Sequence, residues 1–294
     1  MIIAPKETTL PKLHGHLLSA IAPRPIAFAS TVDKQGRVNL SPFSYFNVFS
    51  TNPPVLIFSP NRRGKDNTTK HTHENVKEHP EVVINVVNYA IVEQMSLSST
   101  DYDRGVDEFE KSGLTKIDSQ LVKPPRVAES PVSFECKVTD IKELGQHGGA
   151  GNLIFCEVLL VHVADDVLNE SGHIDPVKID QVARMGANWY TRAKDGLFEV
   201  EKPLARKGIG VDRIPDAIRT SHILTGNHLG RLGNVEELPG PNVVASFRSE
   251  PKLQAIMKDI DDPAELREAL HQLAIEYLDR GTVLDAWKIL LQAE

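Results

Sequence analysis

Two long strand-like runs, Val132 to Ile141 and Leu153 to Val163, constrain this chain most; the glycine-rich Gly145 to Gly151 linker lies between them. In the first run Val132, Phe134, Cys136 and Val138 alternate with polar positions, the period of a strand buried on one face. The second is almost wholly apolar, which predicts a strand deep within a sheet. Shorter runs precede them at Ile26 to Val32, Val55 to Ser59 and Val82 to Val87, rich in the β-branched residues that suit a pleated surface. Asp33-Lys-Gln-Gly36 is a hairpin turn signal that returns the chain along Arg37 to Leu40. Asn67 to Glu78 predicts a polar helix or helical turn, and Ala90 to Leu97 a short helix. Many strands joined by turns, with few helices between them, favour an antiparallel barrel over a doubly wound sheet.

The last third changes character. From about Pro203 the chain is irregular through Arg206-Lys-Gly-Ile-Gly210, and then helical. Asp262-Pro-Ala-Glu265 reads as an N-cap, a proline at the first helical position and a capping-box partner. Leu266, Leu270, Leu273 and Tyr277 then share one helical face, Gly281 ends that helix, and Thr282 opens another that finishes near Leu291. The division expected is a first domain over residues 1–202 and a helical extension over 203–294, in which no chemistry is legible.

Bulk properties exclude several classes. A net charge of -7 argues against general nucleic-acid binding. The two cysteines, Cys136 and Cys156, sit inside strand runs and imply small buried apolar groups, not a disulfide framework. No apolar run approaches the roughly 20 residues of a membrane span, and the N-terminal MIIAPKETTLPKL does not read as a signal peptide. A cytoplasmic protein is the expectation.

Two segments carry more polar chemistry than packing requires. Asn61-Arg-Arg-Gly-Lys-Asp-Asn-Thr-Thr69 sets cations and short polar side chains between a strand and a helix start, where a phosphate finds charge-assisted donors and unpaired amides. The same residues also fit a solvated basic loop in which Asp66 or Asn67 caps the helix. Ser41 to Asn52 reads as a loop held between strands. Ser44, Asn47 and Ser50 can serve the carbonyl and imide edge of a heteroaromatic ring, and Phe43, Tyr45 and Phe46 its flat face. Here too a plainer reading stands, with aromatics in the core and hydroxyls satisfying turns.

Taken in order, Arg24-Pro-Ile-Ala-Phe-Ala-Ser-Thr31, Asn39-Leu-Ser-Pro-Phe-Ser-Tyr-Phe-Asn47, Pro53-Pro54 with Phe58-Ser59, Lys65-Asp66, Asn85-Val-Val87, Gly148-Gly-Ala-Gly-Asn152 and Arg184-Met-Gly-Ala-Asn-Trp-Tyr190 resemble the flavin reductase-like family. The likeness runs from about Leu10 to Arg192. It implies a mainly β fold: a six-stranded antiparallel Greek-key split barrel that binds FMN, with peripheral helices, forming a homodimer. It implies that Ser30, Thr31 and the Asn47 to Ser50 turn meet the flavin, that Lys65, Asn67 and Thr68 lie toward its phosphate, and that Arg184 and Tyr190 line the pocket; Ser44 and Phe46, from the reading of Ser41 to Asn52, join them as flavin candidates. Many relatives carry threonine directly after Lys-Asp, whereas this chain has Asn67 and then Thr68. His147, beside the flexible glycines, joins as a pocket candidate.

The activity implied is hydride transfer from NADH or NADPH to FMN, with a monooxygenase or another electron acceptor as partner. An electron-transfer flavoprotein that keeps its FMN, or a flavin-binding module without turnover, are the alternatives. No catalytic acid or base is assigned. His71 and His73 are two apart on a helix and point to different faces, and with His79 they form no zinc motif, so no metal is expected. His162, within an apolar strand, reads as a satisfied core histidine. Nucleophile-elbow, Walker and dinucleotide glycine motifs are all missing, so a nicotinamide donor would bind without a domain of its own.

Overall fold

The computed structural model describes residues 1–204 and 207–293; of the segment expected to be irregular, Ala205 and Arg206 lie outside that description. The chain divides into two compact units, Met1–Phe198 and Glu199–Glu294.

In the first unit the strands are β1 (Ala27–Val32), β2 (Val38–Phe43), β3 (Phe46–Thr51), β4 (Pro54–Phe58), β5 (Glu81–Asn85), β6 (Lys116–Ile117), β7 (Arg126–Val127), β8 (Val132–Glu143), β9 (Asn152–Val163), β10 (Val182–Arg184) and β11 (Tyr190–Arg192). The helices are α1 (Leu10–Ala20), α2 (His71–Glu78), α3 (Val92–Leu97) and α4 (Glu108–Ser112). Seven strands form one antiparallel sheet in the order β2-β1-β5-β8-β9-β4-β3; β6–β7 and β10–β11 are small separate ribbons. This corrects the expected six-stranded barrel: the sheet has seven strands and does not close, since β2 and β3 are its two edges. The physical source of the extra strand is the segment Ser41 to Asn52. It is not a loop; its ends complete β2 and form β3, joined through Ser44 and Tyr45. Fixing the backbone in ladders leaves its polar side chains free.

Alternation along β1 builds two cores. Ala27 and Ala29 meet Phe43, Phe58, Val82, Cys156 and, from α2, Val76. Phe28 faces the other way, onto Leu40, Val127, Met95 of α3 and Phe109 of α4. Strand β9 departs from the expectation of depth. Its Ile154 and Cys156 are buried, yet Leu159 and Val161 are exposed. Ile154 to Glu157 is covered by β4 on one edge and β8 on the other, whereas Val158 to Val163 pairs with β8 alone.

The Asp33 to Gly36 hairpin forms as the sequence signals. Gly36 takes a φ of +77°, and its amide donates to the Asp33 carbonyl. Asp33 Oδ1 accepts from the Gln35 and Arg37 amides, and Oδ2 takes the Arg37 guanidinium at 2.7 Å. Burial acts to raise the Asp33 pKa, but the Arg37 and Gln35 donors outweigh it and hold it below its ordinary value. Asp33→Ala should therefore lose about 1.5–3 kcal/mol at neutral pH, the scale of hydrogen bonds to a charged acceptor. Because the folded pKa is depressed, this contribution is present above the unfolded value and lost as pH falls through the folded one. Urea midpoints of parent and variant should converge in strong acid; an undiminished gap there would contradict the assignment.

The second unit contains α5 (Asp216–Arg219), α6 (Gly226–Gly233), α7 (Pro241–Ser246), α8 (Pro251–Asp259), α9 (Pro263–Asp279) and α10 (Val283–Leu290). Asp262 Oδ1 caps α9 by accepting from the Ala264 and Glu265 amides, and Gly281 follows the helix at a φ of +81°. Leu270 and Leu273 enter a core with Leu232, Leu253 and Trp287, against which Leu266 and Tyr277 also pack. No helix among the described residues is long and apolar enough to cross a membrane.

Candidate functional site

The basic loop between β4 and α2 is shaped by its own side chains. Asp66 Oδ1 accepts from the Thr68 amide at 3.0 Å and the Thr68 hydroxyl at 2.7 Å, a local turn that leaves Asn67 at a φ of +60°. That left-handed residue, tolerable for asparagine, explains why the helix begins at His71 and not at Asn67, and why neither Asp66 nor Asn67 caps it. Asn67 is held on both sides, accepting from Arg62 Nε at 2.9 Å and donating to the Gln146 carbonyl at 2.9 Å.

The glycine linker lies directly against this loop. Arg62 N donates to Ala150 O and Gly149 N to Arg62 O. A Cβ at Gly148 would stand 3.0 Å from the Arg63 carbonyl, tighter than side-chain Cβ atoms usually come, so the close approach favours glycine there. His147 rides on the same linker, exposed, its carbonyl accepting from the Ala150 amide. Thus Lys65, Asn67, Thr68 and His147 are gathered from two distant segments.

Beside them is a polar cleft lined by Asn39 and Ser41 of β2, Arg63, Lys70, Asp101 and Glu108. Asp101 takes the Arg63 guanidinium at 2.7 Å and Lys65 Nζ at 2.5 Å. Those two donors hold its carboxyl down at about 2. Arg63 also donates to Thr68 Oγ1 and to the Thr69 carbonyl, bracing the loop. Lys70 is half-buried, and its ammonium has no ion-pair or hydrogen-bond partner among the described residues. Burial, followed by repulsion from Arg63, lowers its pKa below the ordinary lysine value. On the far wall Glu108 Oε2 accepts the amide of Leu40, on edge strand β2. Burial raises its pKa. Asn39 Nδ2 donates to Thr72 Oγ1 at 3.0 Å. His71 lines the cleft, whereas His73 is buried within the unit.

Other expected site residues lie elsewhere. Ser30 and Thr31 are fully enclosed in β1; Thr31 Oγ1 accepts from Asn75, and Ser30 Oγ has no partner among the described residues. Phe46 is half-buried against the core that holds Phe58. Asn47 and Ser50 lie on edge strand β3, where Asn47 Oδ1 accepts the Val48 amide and its Nδ2 has no partner among the described residues. Ser44 and Arg184 meet around Arg24. Arg24 Nε approaches Ser44 Oγ at 3.4 Å, and Arg24 pairs through its backbone with Arg184. The Arg184 guanidinium stacks 4.7 Å from the Tyr190 ring centre.

Lys70, Asn39, Asp101 and Glu108 were not singled out from the sequence. Lys70 would have been found from the correct helix start, since the residue before His71 faces the incoming loop. Asp101 and Glu108 fall in the polar stretch from Ser98 to Arg126, which carries no local signal.

Comparison with known proteins converges on one group. Residues 19–185 match the family described as the flavin reductase like domain. An uncharacterised protein of Aquifex aeolicus is 39% identical over 189 residues, spanning 64% of this chain and 93% of that protein. Component B of the nitrilotriacetate monooxygenase from Bacillus cereus superposes with a TM-score of 0.63 at 28% identity, covering 69% of this chain and 98% of that one. Flavoredoxin of Desulfovibrio vulgaris (Miyazaki F) shares the fold at 21% identity, with a TM-score of 0.54 over 70% of this chain and 99% of its own.

Proposed function

Since the chain belongs to the flavin reductase like domain family, we propose that it is an FMN-binding oxidoreductase that takes hydride from NADH or NADPH. The observation that carries the reading is Lys70: a half-buried amine with no ion-pair partner among the described residues, in a cleft it shares with Arg63, Asp101 and Glu108. An uncompensated cation in a low-dielectric cleft costs free energy unless an anion joins it.

The residues present fit the phosphate of FMN. Asp101 balances much of the Arg63 and Lys65 charge, so Lys70 has the most to give a bound dianion. Asn39 and Ser41 add neutral polar groups, and Arg63 holds the Thr68–Thr69 turn that frames the site. Asn47, whose amide nitrogen has no partner among the described residues, and Phe46, with an aromatic face, are the residues proposed toward the ring. When bound, FMN supplies the hydride-accepting ring, and hydride transfer between stacked rings requires no general acid from the protein. Donors near the ring's carbonyl edge would favour the reduced, anionic form. With this reading go a homodimer, a cytoplasmic location and a monooxygenase or other acceptor for the electrons.

Anaerobic titration tests it. The protein should carry or bind FMN, and NADH or NADPH should bleach the oxidised-flavin absorption. Bound flavin that neither nucleotide bleaches would remove the reductase activity, and failure to bind FMN at all would remove the flavin reading.

A further inference from the structure

We propose that the cavity between β7 and β9 is a second binding site, for a small planar organic anion that also carries a hydroxyl or N–H donor. It shares no lining residue with the basic cleft, so it stands independently of the flavin reading. Its volume is about 420 Å³, within the range of small-ligand sites.

Val127, Val161 and Val163 form part of its wall, most of the surface it exposes is polar, and Arg126 and His162 converge on it beside Ser130 and Ser133. Arg126 sets Nε and Nη2 on one acceptor, the Asp118 carbonyl, at 3.4 and 3.2 Å. Its Nη1 has no hydrogen-bond partner and its charge no ion-pair partner among the described residues, which leaves a guanidinium edge for a carboxylate. His162 is the second group. Its Nε2 lies 2.6 Å from Glu135 Oε1.

Glu135 is fully buried and also accepts the Gln120 and Leu121 amides at 2.8 and 2.6 Å. Burial works to raise its pKa, but those amides and the imidazole overcome it and keep the carboxyl below its ordinary value. An ionised carboxylate can only accept, so Nε2 carries a proton toward it, and when the ring is neutral Nδ1 is left bare. Nδ1, which has no partner among the described residues, is then an acceptor on a ring that lines the cavity. The two loop amides account for Glu135 as a structural clamp. They do not account for an oriented imidazole and an arginine without an ion-pair partner on one open cavity.

The test uses the full chain and 4-hydroxybenzoate as probe, with benzoate and phenol as partial probes, by isothermal titration calorimetry. One saturable site per chain is expected, with 4-hydroxybenzoate binding more tightly than either partial probe. Arg126→Gln and His162→Phe should each weaken it about tenfold or more, the scale of one charge-assisted or buried hydrogen bond. Val161→Trp, at a position 46% exposed and so tolerant of bulk, should fill the cavity and abolish binding without lowering the thermal midpoint. No saturable heat at millimolar probe, affinity that survives Val161→Trp, or benzoate binding as tightly as 4-hydroxybenzoate would overturn the proposal.

Discussion

Lys70→Met is expected to raise the FMN dissociation constant about 10- to 100-fold, corresponding to one lost charge-assisted contact, while leaving riboflavin binding nearly unchanged. The two ligands differ only in the phosphate, so their ratio isolates the contact from any general damage to the fold. Lys65→Met should have the smaller effect. Lys65 is 65% exposed at its side chain and already tied to Asp101, and an exposed ion pair contributes little. Lys70 is half-buried, and its ammonium has no partner among the described residues. Equal losses for FMN and riboflavin would place the phosphate elsewhere, and a larger effect at Lys65 would reverse the ranking of the two amines.

The second large effect concerns stability. Trp287→Ala should destabilise the Glu199–Glu294 unit by about 3–5 kcal/mol, the cost of deleting a large aromatic from a packed core. Trp287 is fully buried among Leu232, Leu253 and Leu270, and its indole N–H donates to the Leu232 carbonyl at 3.0 Å. The variant leaves that carbonyl unpaired as well as creating a void. Since a domain is typically stable by only about 5–15 kcal/mol, the loss is a large fraction of the whole. Denaturant titration followed by far-UV circular dichroism should show the helical transition moving to lower denaturant. In the parent protein the two tryptophans divide the signal usefully: Trp287 is buried, and Trp189 is 76% exposed. A shift below about 1 kcal/mol would mean that the core closes over the gap more completely than large-to-small substitutions usually allow.

Features that depend on short-range chemistry were readable in the amino-acid order. The Asp33–Gly36 turn, the Asp262 cap with Pro263 behind it, the stop at Gly281 and the alternation in β8 each rest on residues within a few positions of one another. The ordered motifs from Arg24 to Tyr190 likewise carried the family, because each is a short pattern of residue types legible in the sequence itself. The readings that failed depend on distant partners. An apolar run looked deep, yet Leu159 and Val161 are exposed because β4 is too short to cover them. Ser41 to Asn52 looked like a loop, since polar side chains disguise an edge strand whose other neighbour is solvent.

By itself, then, the sequence determined the β character of the first unit, the helical character of the second and the flavin reductase-like ancestry of residues 19–185. Local backbone preference and side-chain period are properties of neighbouring residues, so they survive without a fold. Only the tertiary structure decided that the sheet has seven strands and stays open, that Lys70 and not Lys65 is the unpaired amine, and that Arg126 and His162 share a cavity. Burial and charge pairing are set by groups tens of residues away, such as Asp101 for Lys65 and Glu135 for His162. No local window of the chain contains both partners.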